Sequence, residues 1–221
     1  MIFGDGEINL RSESKNETQI MKTRTKNLST IRVAAVAAAS LTVVMFFAGC
    51  VVTSIYPYYT DKDLVFDQAV LGDWAEAGQT NEPSEYIRFE PIGTNGYWVT
   101  VLGGSETNSF EVRLFRLKER LFIDSCTTNR SLDFVAVHQV SKVMEIGPGI
   151  ETANLNYDWL AKLLENNPRA IRHMVLREEP EDKQGGRIVL TADTKELQRF
   201  LLKYVNNTNA WKEPSQLKRR L

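Results

Sequence analysis

The sequence predicts an α+β domain that is mainly antiparallel β, a meander that closes or nearly closes into a barrel with two helices packed on it. Three observations carry this prediction. Short segments alternate apolar and polar residues, as residues 110–114 do, and this spacing is typical of half-buried strands. Brief turns such as Gly93-Thr94-Asn95-Gly96 separate these segments. Two other segments repeat apolar residues at helical spacing. A two-layer α+β sheet with helices on one face is the alternative.

Eight or nine antiparallel strands are expected from the strand-like segments. These segments span residues 70–75, 86–90, 97–102, 110–114, 121–126, 134–143, 150–155, 170–176 and 187–191. Between the second and third of them, Asn95-Gly96 supplies the positive φ angles that a tight hairpin needs. Cys126 ends another segment and is predicted to be a small hydrophobic residue buried on a strand.

Two amphipathic helices interrupt the meander. Asn156 is a predicted N-cap for a helix over residues 157–165, because its side chain accepts hydrogen bonds from the first free backbone N–H groups. Asp193, with Glu196 three residues later, is typical of a capping box at the start of a second helix. The apolar stripe of that helix consists of Leu197, Phe200, Leu201 and Tyr204.

The first barrel strand begins with a short motif, Gly72-Asp73-Trp74. This Gly-x-Trp resembles the start of lipocalins and lipocalin-like barrels, and the resemblance implies that Trp74 plugs one end of the barrel. A barrel of this size is either filled by its own side chains, which is the default expectation, or encloses one small ligand. If a cavity exists, we expect it to take an apolar or amphiphilic ligand and to be lined by some of the large aromatic residues, namely Trp74, Phe89, Tyr97, Trp98, Phe115 and Phe122.

The N-terminal region has the order of a secretory signal. Lys22, Arg24, Lys26 and Arg32 precede an apolar run over residues 33–48, and small residues follow. The tetrad Phe47-Ala48-Gly49-Cys50 resembles the lipobox of bacterial lipoproteins. That resemblance implies cleavage before Cys50, acylation of its thiol and amino group, and anchoring to membrane lipid in the bacterial cell envelope. Val51 and Val52, neither of them acidic, are similar to the outer-membrane sorting pattern of Gram-negative lipoproteins.

A transmembrane anchor is the alternative for this segment. A helix over residues 33–49 spans about 25 Å at roughly 1.5 Å per residue, which is shorter than a hydrocarbon core of about 30 Å. We therefore assign residues 21–49 to a lipoprotein signal peptide and residues 50–63 to a tether. Residues 1–20 are a disordered leader, or translation begins at Met21. A β-rich domain over residues 64–211 and a basic, solvated tail over residues 212–221 complete the organisation.

Charge and motifs exclude several function classes. The whole chain has 27 basic and 28 acidic residues, and the first 49 residues hold six and four of them, so the remainder carries a net charge of about −3. This balance provides no positive field for nucleic acid. His138 and His173 fit no metal-ligand spacing, and no metal or cofactor is predicted.

The expected function is therefore a non-catalytic one. We expect a lipid-anchored binding or accessory protein, with a small apolar ligand in the barrel or an envelope protein as its partner. A protein-interaction module for envelope assembly is one alternative. A hydrolase that uses paired carboxylates is another, with Asp124 and Glu145 as candidate residues, although residues of this type are more often surface charges.

Overall fold

A computed structural model describes residues 51–78, 85–104, 107–127, 135–176 and 186–220, all within one unit, Gly49–Leu221. The strands in these ranges are β1 (Val52–Ser54), β2 (Leu64–Val65), β3 (Gly72–Glu76), β4 (Tyr86–Ile92), β5 (Gly96–Leu102), β6 (Asn108–Leu117), β7 (Arg120–Thr127), β8 (His138–Ile146), β9 (Gly149–Asn154), β10 (His173–Leu176), β11 (Arg187–Leu190) and β12 (Ser215–Arg219). The helices are α1 (Tyr157–Asn166) and α2 (Thr194–Tyr204), with 3₁₀ helices η1 (Asp61–Asp63), η2 (Gln68–Val70) and η3 (Thr208–Ala210).

Eight antiparallel strands close into a barrel. Their order is β3, β4, β5, β6, β7, β8, β9 and β12, and β12 pairs with β3 to complete the ring. The prediction of a mainly antiparallel, barrel-like α+β fold with two helices is therefore confirmed, and the open two-layer sheet is not formed. The other four strands of the described ranges extend the sheet beyond the barrel: β1 pairs with β8 and with β11, β11 pairs with β10, and β2 pairs with β6.

The two faces of the barrel wall bury two separate cores. Residues directly opposite each other on paired strands point to the same face. The inner face supplies Val70, Trp74, Phe89, Tyr97, Val99, Val112, Leu114 and Ile150. The outer face of β6 to β9 packs on the helices and on β1 and β11. That outer core includes Phe115, Leu117, Phe122, Val140, Ala153, Leu160, Ile188, Leu190, Leu197 and Leu201.

Both predicted helix caps are present. The Asn156 side chain accepts hydrogen bonds from the backbone N–H groups of Asp158 and Trp159, at 3.0 and 3.4 Å. The Asp193 side chain accepts one from the backbone N–H of Glu196 at 2.9 Å. The carboxylate of Glu196, however, accepts a hydrogen bond from Arg172 at 2.9 Å. The reciprocal half of the predicted capping box is therefore replaced by an ion pair between the helix and the residue before β10.

The segment predicted to be a tether belongs to the folded domain. β1 lies within residues 50–63, and its three residues are all buried. It runs parallel to β11, with Val52 opposite Ile188, and Tyr58 is fully buried in the outer core. The tether prediction is wrong because the pairing partner lies about 136 positions away, so no local pattern indicates it. Three residues also provide too few positions to show a period.

The predicted basic tail is also wrong, since residues 215–219 form the strand that closes the barrel. β12 pairs antiparallel with β3 and β9. Leu217 packs against the inner core, and Lys218 is exposed. The Arg219 guanidinium carbon lies 4.4 Å from the centre of the Trp74 ring. Arg219 is exposed, but its guanidinium makes a cation–π contact with a buried ring of the domain and so is not the free charge of a solvated tail.

The hairpin between β4 and β5 forms as predicted, but with its positive φ angle elsewhere. The angle of 58° is at Gly93, whereas Asn95 and Gly96 do not have positive φ. Gly96 is instead the first residue of β5, opposite Ile92. The turn is therefore longer than the two-residue turn that an Asn-Gly pair favours.

Candidate functional site

The predicted lipidation residues lie outside the described part of the chain. These are Phe47, Ala48, Gly49 and Cys50, and their role stays a prediction from sequence. Among the residues that the structure describes, no helix combines the length and apolarity needed to cross a bilayer.

The six aromatic residues predicted to line a cavity are distributed over three places. Trp74, Phe89 and Tyr97 point into the barrel. Phe115 and Phe122 lie on the outer face and stack on each other, with ring centres 5.4 Å apart. Trp98 is partly exposed on the outer face of β5.

The six aromatic residues therefore do not line one cavity together. Tyr97 and Trp98 are consecutive on β5, and consecutive residues of a strand point to opposite faces. Only one of them can face the interior. Only some of the six candidates therefore face the interior, and the outer core that takes Phe115 and Phe122 has no local signal in the sequence.

One end of the barrel is sealed by Trp74 and Tyr97. The Trp74 indole N–H donates to the carbonyl oxygen of Val70 in η2 at 2.8 Å. The Tyr97 hydroxyl accepts from the backbone N–H of Asp67 at 2.7 Å and contacts its carbonyl oxygen at 3.0 Å. Phe66 stacks on the Tyr97 ring at 5.0 Å. The chain between β2 and β3 is therefore fixed to the inner core at this end.

Arg219 completes the sealed end from the last strand. Its guanidinium donates to the carbonyl oxygens of Leu71 and Ala69, at 3.0 and 2.8 Å. Gly72 is required here: its φ is 116°, and a Cβ atom at this position would lie 2.8 Å from Arg219 Nη1. In the Gly-x-Trp motif, Gly72 thus lets the backbone approach the Arg219 side chain closely, and Trp74 provides the ring that the Arg219 guanidinium covers.

The opposite end of the barrel is lined by polar side chains. The ends of β7 and β9 and the starts of β8 and β12 meet there, because neighbouring strands are antiparallel. Strand register places seven partly exposed polar residues on the inner face at this end, which we call the polar mouth: Ser125, Thr127, Gln139, Ser141, Thr152, Asn154 and Ser215.

The polar mouth has hydrogen-bonding capacity that its own side chains only partly use. Ser141 Oγ donates to Asn154 Oδ1 at 2.5 Å, and the hydroxyls of Thr152 and Ser215 are 3.4 Å apart. The Thr127 hydroxyl oxygen is buried, with no hydrogen-bond partner within the described ranges. Buried polar groups are normally paired. A polar group of a ligand would therefore find donors and acceptors here, and apolar side chains below them.

A second cluster of chemical groups lies on the outer face. Asp124 and Cys126 are two residues apart on β7, and His138 on β8 is directly opposite Cys126. His138 Nδ1 is 2.7 Å from Asp124 Oδ1, and His138 Nε2 is 3.9 Å from Cys126 Sγ. The backbone N–H of Tyr58 donates to the other oxygen of Asp124 at 2.9 Å. The carboxylate, imidazole and thiol are thus in contact in that order.

Burial and charge set the protonation of this cluster. Asp124 is 1% exposed. Burial alone lowers the pKa of His138, but the hydrogen bond to Asp124 and the contact with Cys126 outweigh it and raise that pKa to about 10. The imidazole therefore carries both protons at neutral pH. Burial, and then the negative charge of Asp124, raise the pKa of Tyr58 above its usual range, so this phenol stays neutral.

The cluster corrects two sequence interpretations. Cys126 lies on a strand as predicted, but it is partly exposed and contacts an imidazole, so it is more than a buried hydrophobic residue. Asp124 is paired with His138, whereas Glu145 is exposed and lies opposite Glu151. The structure does not bring the two candidate carboxylates together. Across the described ranges, no group of three or more His, Cys, Asp or Glu side chains is arranged to hold a metal ion.

Sequence reasoning missed the cluster because its two halves come from different strands. The Asp-x-Cys spacing within β7 places both side chains on one face. The register of β8 against β7 depends on the long connection between them, which no local pattern determines.

Comparison of the chain with protein-family models, with characterised proteins and with solved structures gives no match.

Proposed function

We propose that this chain is a lipid-anchored protein of the bacterial cell envelope that binds one small amphiphilic molecule in its barrel. The observation that supports ligand binding is the asymmetry of the barrel interior. One end is sealed by Trp74 and Tyr97, and the other carries the partly exposed polar mouth. Binding sites that combine apolar walls with a few convergent polar groups are the usual form of small-molecule sites.

The Gly-x-Trp resemblance supports a lipocalin-like version of this function. Trp74 is fully buried at one end of a closed eight-strand barrel, which agrees with the role that the resemblance implies for it. In this proposal the apolar part of the ligand lies against residues such as Phe110 and Ile123 of the inner face, and its polar group bonds in the polar mouth. The protein carries or senses the molecule and does not transform it there.

The anchoring part of the proposal rests on Cys50. Each buried methylene of an acyl chain contributes roughly 0.8 kcal/mol, so two or three chains hold a protein at a bilayer essentially permanently. The sorting pattern at Val51 and Val52 favours the outer membrane if the host is Gram-negative. In this arrangement the barrel stands outside the cytoplasm.

Replacing the predicted acylated residue tests the anchor. We expect Cys50→Ala to accumulate as an unprocessed precursor without acyl chains, detected by intact mass. Cys126→Ala is the matched control and should remain processed and membrane-bound. Unchanged membrane retention of a chain that lacks residues 1–49 and the Cys50 thiol would contradict the anchoring proposal.

Filling the polar mouth tests ligand binding. Anilinonaphthalene sulfonate, a fluorescent amphiphile, is the probe. Ser125→Trp places a large ring in the mouth, and we expect the dissociation constant of the probe to rise by about tenfold or more, equivalent to about 1.4 kcal/mol. Thr100→Trp is the matched control, because Thr100 is on the outer face of β5. An equal effect of both variants, with circular dichroism showing both folded, would contradict binding in the barrel.

A protein-interaction module is the second candidate, and one observation favours it. Among the strands of the described ranges, β10 is the last on its side of the sheet, and Met174, Val175 and Leu176 on it are 48%, 46% and 49% exposed. Exposed apolar edge strands are places where other chains add a strand. Native mass spectrometry of protein extracted from its own cells separates the two functions, since a copurified small molecule supports the first and a copurified protein supports the second.

A further inference from the structure

The outer-face cluster orders its three groups as a nucleophilic cysteine site requires. Such a site consists of a thiol, a histidine in contact with it, and a third group that orients the histidine. Here Asp124 Oδ1 is 2.7 Å from Nδ1 of His138, and Nε2 of the same ring is 3.9 Å from Cys126 Sγ. The ring therefore presents one nitrogen to the carboxylate and the other to the sulfur.

The carboxylate itself is fixed from two sides. Asp124 Oδ2 accepts a hydrogen bond from the backbone N–H of Tyr58, and Asp124 Oδ1 contacts Nδ1 of His138. Because Asp124 is almost completely buried, its interaction with the imidazole is little weakened by water. Asp124 is thus a positioning residue, and His138 and Cys126 are the groups that would meet a substrate.

We propose that Cys126 is a nucleophile that accepts an acyl group from an ester or thioester, with His138 as proton donor and Asp124 as the residue that positions it. The thiolate sulfur attacks the carbonyl carbon and forms a carbon–sulfur bond. The bond between that carbon and the leaving oxygen or sulfur breaks, and the Nε2 proton of His138 passes to the leaving group. The products are an S-acyl Cys126 and an alcohol or thiol, so one acyl group is transferred per chain.

The surroundings of the thiol suit this reaction. Cys126 is partly exposed. On the other side of the imidazole, Ser54 of β1 lies opposite His138. The titratable groups that face the imidazole are Asp124 and Cys126 from β7, with Tyr58 neutral beside the carboxylate. On β6, Arg113 lies opposite Asp124 and Glu111 lies opposite Cys126, and these two side chains form an ion pair with each other.

The test uses p-nitrophenyl acetate and the full chain with Cys50→Ser, in which Cys126 is the remaining thiol. Release of p-nitrophenolate gives the rate, and peptide mass spectrometry identifies the acetylated residue. At neutral pH we expect the folded chain to be acetylated on Cys126 about tenfold faster than the same chain in urea, because an ordinary thiol is mostly protonated there. Cys126→Ser should abolish the acetylation.

Two further measurements separate a chemical role of His138 from a structural one. His138→Gln should reduce the rate to that of the urea-unfolded chain, while His173→Gln, which changes the histidine on β10, should leave it unchanged. Between about pH 6 and pH 8, the rate of the folded chain with His138 intact should rise less steeply than the rate of the same chain in urea. This second measurement remains available if His138→Gln does not fold.

Several results would overturn the proposal. One is a folded chain that reacts no faster than the unfolded one. Another is a folded His138→Gln variant that retains the full rate. A third is a rate that rises about tenfold per pH unit over the same range, as for an ordinary thiol. None of these outcomes bears on probe binding in the polar mouth, which is on the other face of the barrel wall.

Discussion

A chain that ends after Glu213 should fail to form the folded domain. Residues 214–221 contain β12, which pairs with β3 on one side and β9 on the other. Its removal opens the barrel, exposes Ile150 and Trp74 of the inner core, and leaves two unpaired strand edges. The loss should exceed about 5 kcal/mol, the lower limit of the stability of typical domains. The measurement is thermal unfolding followed by circular dichroism, in which we expect no cooperative transition.

Two point variants serve as controls for the truncation. Leu217→Asp places a carboxylate in the inner core and should destabilise the chain severely. Lys218→Ala changes the exposed neighbour on the same strand and should alter the free energy of unfolding by less than about 0.5 kcal/mol. If residues 214–221 were a solvated tail, all three changes would leave the melting temperature unaltered.

Trp74→Ala should lower the free energy of unfolding by about 3–5 kcal/mol, the usual cost of removing a fully buried large aromatic side chain. Trp74 is 0% exposed. The substitution leaves a cavity in the inner core, removes the indole hydrogen bond to Val70 and leaves the Arg219 guanidinium without the ring that it covers. Urea unfolding at equilibrium measures the change.

Trp98→Ala is the matched control for this variant. Trp98 is the same residue type on the outer face of the barrel, partly exposed, and its loss should cost less than about 1.5 kcal/mol because less apolar area returns to water. Equal destabilisation by the two tryptophan substitutions would contradict the assignment of Trp74 to the sealed end.

Local features of the fold were predictable from the sequence, and so was a barrel-like sheet, but the strands that pair only with distant segments were not. Asn156 and Asp193 cap the predicted helices, because capping depends on residues within one turn. The alternation of Phe110, Val112 and Leu114 likewise identifies β6. β1 and β12 were missed since their stabilisation comes from partners far along the chain. A short segment with basic residues has the same local pattern whether it is solvated or paired.

For the candidate site, too, features with a local sequence signal were predictable and those that depend on strand pairing were not. The burial of Trp74 in the barrel was predictable, because it lies in a motif of adjacent residues. The polar mouth was not, since Ser125, Gln139 and Asn154 are unremarkable until strand register places them on one face. The contact between Cys126 and His138 depends on the register of β7 against β8, which the sequence of the connection between them does not determine.

The early start of β1 has a consequence for how the protein meets its membrane. Only Val51 separates Cys50 from Val52, the first residue of the sheet, and two residues of extended chain reach about 7 Å. With Cys50 acylated as proposed, almost no flexible linker would separate the barrel from the acyl chains. It would rest against the lipid headgroups with restricted tumbling, and anything it captures would have to come from that bilayer or from its immediate surface.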